Sequence, residues 1–140
     1  MEFSCQQVVR LYDTDEAGFL FFGSQFRFAH AALEEFLEHV GFPIAEVLRR
    51  RSPLFPVVHA EADYRAPLVA GDRLSVTVAV RALGERSFTL VYRLLLPDGR
   101  EAGTVTTVHA TLDPATGASC PLPEQVREAF APYLETGDRP

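Results

Sequence analysis

The chain has no lysine and no tryptophan, one methionine and two cysteines among its 140 residues. Without lysine there is no side-chain amine for Schiff-base chemistry. Every cation is instead an arginine, a planar fork suited to bidentate phosphate or carboxylate contacts. Cys5 and Cys120 lie far apart and neither has a C-x-x-C partner, which removes a disulfide framework and a zinc finger and leaves inert thiols. No histidine pair has the spacing of metal ligands, so no metal is expected. Apolar runs break before the roughly 18 residues of a membrane span, and the N-terminal residues lack the pattern of a signal peptide, so a cytoplasmic protein is expected. A net charge of −6 argues against the basic face that nucleic-acid binders use to neutralise phosphates.

What is present suits one core: 47% of the residues are hydrophobic, too few residues in all for two ordinary domains, so 1–140 reads as a single domain. Residues 3 to 12 alternate as a first strand, and Asp13 to Gly18 turn it. From Ser24, an N-cap residue by type, apolar side chains recur at Phe26, Ala29, Leu33, Phe36, Leu37 and Val40, the spacing of a helix with a wide buried stripe. Gly41 and Pro43 stop it, and a short helix over Ile44 to Arg50 follows.

After Pro53 the period changes to two. Val57 to Leu68 reads as a strand with Val58, Ala60, Ala62 and Tyr64 on one face, and Leu74 to Leu83, Ser87 to Leu96 and Glu101 to Asp113 as three more. The turn residues Ala70-Gly71-Asp72, Gly84-Glu85 and Pro97-Asp98-Gly99 predict consecutive antiparallel hairpins. Pro121 to Leu134 predicts a peripheral amphipathic helix. One long apolar helix against an antiparallel sheet is an α+β two-layer domain.

The segment Tyr12-Asp13-Thr14-Asp15-Glu16-Ala17-Gly18, followed by Phe19-Leu20-Phe21-Phe22 and the helix, is where chemistry is expected. A carboxylate beside the unpaired N–H groups of a helix N-terminus offers a nucleophile or base and an oxyanion site together. Aspartates in turns also serve simply as caps, and Gly18 as a plain turn glycine. A histidine among alanines, as at His30, is open to a core or a ligand-facing role. Arg86 is open to a solvated turn position.

The order strand, helix, four strands resembles the hot-dog fold. The run from Tyr12 to Gly18 with the aromatics after it resembles the signature of hot-dog acyl-CoA thioesterases of the 4-hydroxybenzoyl-CoA type. Pro56-Val57-Val58-His59-Ala60-Glu61-Ala62-Asp63-Tyr64, Pro67-Leu68, Gly71-Asp72, Ser87-Phe88-Thr89-Leu90, Thr107-Val108-His109 and Pro121-Leu122-Pro123 resemble, within that family, the 1,4-dihydroxy-2-naphthoyl-CoA hydrolases.

The resemblance implies an enzyme that hydrolyses an aryl-CoA thioester, with Asp15 as nucleophile or base, the backbone N–H of Phe22 as oxyanion donor, and Gly18 letting the backbone pass close to the thioester. It implies His30 and His59 as substrate-binding residues, with Phe19, Phe21 and Phe26 enclosing the acyl ring, and Arg86 and Ser87 holding the CoA nucleotide. No cofactor is implied, coenzyme A being part of the substrate. A homo-oligomer is implied, either a dimer or a tetramer built from dimers, with the site shared between subunits. The alternatives are a 4-hydroxybenzoyl-CoA or short-chain acyl-CoA hydrolase and, from another class, a non-catalytic acyl-binding hot-dog module.

Overall fold

In the computed structural model, which describes residues 1–135, the long helix α1 spans Ser24–His39. Its most buried line is Gln25, Phe28, Ala29, Ala32 and Phe36, while Phe26, Leu33, Leu37 and Val40 are only half-buried. The expected stripe is therefore rotated. Half-buried Leu33 and Leu37 border a cavity shared with the short helices α2 (Ile44–Arg50) and α3 (Glu124–Phe130). Gly23, not Ser24, occupies the N-cap position, and no side chain caps the helix.

The sheet has five strands: β1 (Phe3–Val8), β2 (Val57–Tyr64), β3 (Arg73–Leu83), β4 (Ser87–Leu95) and β5 (Glu101–Ala110), in the order β1-β3-β4-β5-β2 and antiparallel throughout. Alternate residues of the three central strands, Val76, Val78 and Val80, Leu90, Tyr92 and Leu94, and Val105, are buried against α1. Phe36 is the hinge of the aromatic core, with ring centroids 5.6 Å from Phe3, 5.3 Å from Phe130 and 5.1 Å from Tyr133.

Three expectations change. β1 ends at Val8, and Leu11–Asp13 form a 3₁₀ turn, because Val9 turns away to exchange hydrogen bonds with Gly71 and Asp72 and Asp13 caps the Arg10 N–H. β2 and β3 are not a hairpin. The Ala70-Gly71-Asp72 turn serves Val9, buried Leu68 anchors the crossing, and β2 lies at the far edge against β5. The last helix is shorter than expected, with α3 followed by a 3₁₀ turn at Ala131–Tyr133.

β2 is the least covered strand. Val57, Val58 and Tyr64 are 49%, 62% and 50% exposed, and only Ala62 packs against the core cluster. Its second backbone edge meets no strand among the described residues.

Candidate active site

Asp13 and Asp15 have opposite environments. Asp13 is 1% exposed, and its carboxylate takes two hydrogen bonds from Arg27, both 2.7 Å, and one from the Arg10 N–H at 2.8 Å. Its carbonyl accepts the Phe21 N–H at 2.8 Å, so one residue closes the loop 14–20 on itself and ties it to α1. Thr14 and Leu20 form an antiparallel bridge inside that loop, and Leu20 N–H reaches the Leu68 carbonyl.

Asp15 stands at the exposed tip, paired through its backbone with Phe19 and Gly18. One of its carboxylate oxygens accepts the Ala17 N–H at 2.9 Å, leaving the other for a ligand or water. Gly18 has φ +86° with nothing within 4 Å of an added Cβ, so its conformation, and not crowding within this chain, calls for glycine.

Phe22 sits in the turn just before α1. Its N–H meets no acceptor among the described residues, while its carbonyl accepts the Tyr64 hydroxyl at 2.7 Å. Gln25, buried in the first turn of α1, donates to the Asp63 carbonyl (2.8 Å) and the Thr104 carbonyl (3.0 Å). Gly103 makes room for it, since a Cβ there would lie 2.6 Å from the Gln25 amide. Sequence reasoning passed over Arg27, Gln25 and Tyr64. An amide on the buried face of α1 and an arginine one turn after the aspartate loop are the signals in the sequence, but their partners are set by the fold.

The expected ring-binding residues are not gathered in one place within the chain. Phe19 lines an open cleft with Gln25, Tyr64 and Pro67. Phe21 packs on Phe22, with centroids 4.6 Å apart, and both are exposed, whereas Phe26 is half-buried against the core. His30 instead borders a cavity of about 200 Å³ whose walls include Leu33, Phe42, Phe55, Phe88 and His109. His59 is exposed on β2, 3.8 Å from Glu61.

His109 is held from both sides. The partner of Nδ1 is the Phe55 carbonyl (3.1 Å), which can only accept, so Nδ1 carries the proton and donates, and Nε2 accepts the Thr107 hydroxyl at 2.9 Å. Thr107 in turn accepts from Tyr92 at 3.2 Å. The imidazole stacks on Phe88 at 4.6 Å, and burial lowers its pKa, with the nearby His30 adding to that.

Arg86 donates to the Ser119 carbonyl at 2.9 Å from an exposed position at the head of β4, beside Ser87. Burial and Glu35 push the Cys5 thiol up to about 11, which leaves it protonated. Among the described residues no three His, Cys, Asp or Glu side chains are placed to hold a metal ion, and no helix is long and apolar enough to cross a membrane.

The chain is 34% identical over 128 residues to a 1,4-dihydroxy-2-naphthoyl-CoA hydrolase of Synechococcus elongatus, covering 91% of this chain and 93% of that one. It superposes on a 1,4-dihydroxy-2-naphthoyl-CoA thioesterase from Synechocystis with a TM-score of 0.86 and 25% identity, over the whole of both chains. A gentisyl-coenzyme A thioesterase matches with a TM-score of 0.81 and 30% identity over 91% of this chain and 98% of its own. The model of the thioesterase-like superfamily matches residues 9–130. With a family match over most of its length and a five-stranded antiparallel sheet on one long helix, the chain belongs to the thioesterase-like superfamily, with the hot-dog fold.

Proposed function

We propose that this thioester hydrolase acts on an aryl-CoA, 1,4-dihydroxy-2-naphthoyl-CoA, and that Asp15 is its nucleophile or general base. The observation that carries this reading is the division of labour in the loop. Asp13 is consumed in holding it, while among the described residues one Asp15 carboxylate oxygen and the Phe22 N–H have no partner, and Phe22 precedes a 16-residue helix whose dipole favours negative charge. A thioester carbonyl is a good electrophile that needs a positioned attacking group and a donor for its developing oxyanion. One such donor is worth about 10²–10³ in rate.

His30 is exposed on α1 at the rim of an apolar cavity, none of whose other walls belongs to the loop of Asp15. His30 supplies a polar contact for a ring hydroxyl. The likenesses to naphthoyl-CoA and gentisyl-CoA enzymes support a hydroxylated ring; the second of them favours a single dihydroxybenzoyl ring as the other reading. Arg86 and Ser87, at an exposed strand start, are assigned to the CoA nucleotide, and Phe19, Phe21, Phe26 and His59 to the substrate.

The bare edge and exposed apolar side chains of β2 support a second copy of this chain joining there, which would complete the site around Asp15. The test is Asp15→Asn assayed on a panel of CoA thioesters. A loss of at least about 10³ in kcat on the naphthoyl substrate, with unchanged circular dichroism, is expected. Retention of a tenth of the activity, or a wild-type preference for straight-chain acyl groups, would overturn the reading.

A further inference from the structure

α1 begins at Ser24 with Gly23 as its N-cap, so the Phe22 carbonyl lies just outside the helix and takes no helical partner. The Phe26 N–H goes to the Gly23 carbonyl at 3.2 Å, and the Phe22 carbonyl accepts the Tyr64 hydroxyl from β2 at 2.7 Å. Tyr64 thus fastens the peptide just before α1 to β2 across the fold. Beside it, Gln25 ties the first turn of α1 to Asp63, so two adjacent β2 residues hold this helix end at two points.

From this geometry we infer that Tyr64 is a positioning residue for thioester hydrolysis, its hydroxyl holding the Phe22–Gly23 turn so that the Phe22 N–H faces the developing oxyanion. This rests on the reading of Phe22 as the oxyanion donor. Burial raises the Tyr64 pKa, so the hydroxyl remains a donor through neutral and mildly alkaline pH. A positioning residue acts on the transition state through the backbone it holds, so the loss of Tyr64 should appear in kcat and spare KM.

The experiment compares wild type, Tyr64→Phe and Asp15→Asn on an aryl-CoA. Tyr64→Phe is expected to lower kcat about tenfold or more with KM within about twofold, and to shift the amide NMR signals of Phe22, Gly23 and Phe26 as the turn loses its tie to β2. Replacing Tyr64 by 3,5-difluorotyrosine, which keeps the shape and ionises at lower pH, is expected to move the alkaline fall of kcat to lower pH. A merely structural tyrosine would not transmit its ionisation to turnover in this way. Unchanged kcat in Tyr64→Phe while Asp15→Asn is inactive overturns the role of Tyr64 alone. Full activity of Asp15→Asn overturns the site reading beneath it. Should Tyr64→Phe lose its fold, the fluorinated protein decides: an alkaline limb that stays at the wild-type pH overturns the proposal.

Discussion

Arg27 and Asp13 form a two-pronged ion pair, Nε to Oδ1 and Nη2 to Oδ2, both at 2.7 Å, in which the carboxylate is buried and the guanidinium is 43% exposed. The pair staples the first half of α1 to the loop that presents Asp15. The guanidinium also lies over Tyr12 and Phe28, 5.4 and 4.6 Å from their ring centres. Removing Arg27 leaves Asp13 buried without its cation. Arg27→Ala should cost about 2–3 kcal/mol, below the range for a wholly buried pair because the arginine stays partly in water. Urea unfolding measures it, and a loss under about 0.5 kcal/mol would show the staple to be idle. Asp13→Asn should reduce kcat far less than Asp15→Asn does.

His30→Ala should separate substrates. If His30 binds a ring hydroxyl in the cavity it borders, its loss leaves that hydroxyl unsatisfied, at about 1–3 kcal/mol, or ten- to hundredfold in kcat/KM. Turnover of dihydroxynaphthoyl-CoA should fall by that factor and turnover of unsubstituted benzoyl-CoA should not. Equal losses on both would make His30 a wall residue only.

Gly103→Ala tests the seat of Gln25. The new Cβ would fall 2.6 Å from the amide and 2.8 Å from the Asp63 carbonyl, and that backbone belongs to β2, which cannot yield without breaking its ladder. A loss of about 1–3 kcal/mol in urea unfolding is expected, with reduced kcat as the first turn of α1 shifts. Wild-type stability would show that the two strands part easily there.

Acid should weaken the fold through His109. Its folded pKa is depressed by burial below the ordinary 6.5, so as pH falls past 6.5 the unfolded chain takes up a proton that the folded one refuses. Stability is complete above about pH 6.5 and drains away below it toward the folded value. The carboxylates with lowered pKa, Asp98 and Glu135, lose their contribution only below about pH 4.5, so the window between is read out by His109. His109→Gln should be less stable at neutral pH yet flatter from pH 6.5 to 5, as thermal unfolding at several pH values would show. Parallel slopes for the two proteins would exclude His109.

The periodicity of residues 24–40, the alternation after Pro53 and the hairpin turns at Gly84 and Gly99 determined the helices, the strands and the α+β class, because each is a local pattern of side chains and turn residues. The aspartate loop, too, is legible as a contiguous run. Which aspartate is buried was not legible, because that depends on Arg27 one turn into a helix and on the capped Arg10 N–H. Nor could alternation tell that β2 sits at an edge where only Ala62 packs on the core, or that Gly71 serves Val9 instead of a hairpin. A period of two reports which residues share a face and says nothing of what covers it. The cavity joining His30 to His109, and the reach of Tyr64 to Phe22 across forty-two positions, exist only once α1 lies on the sheet. Contacts between residues distant in sequence are chosen by packing of the whole core, and only the tertiary structure decided them.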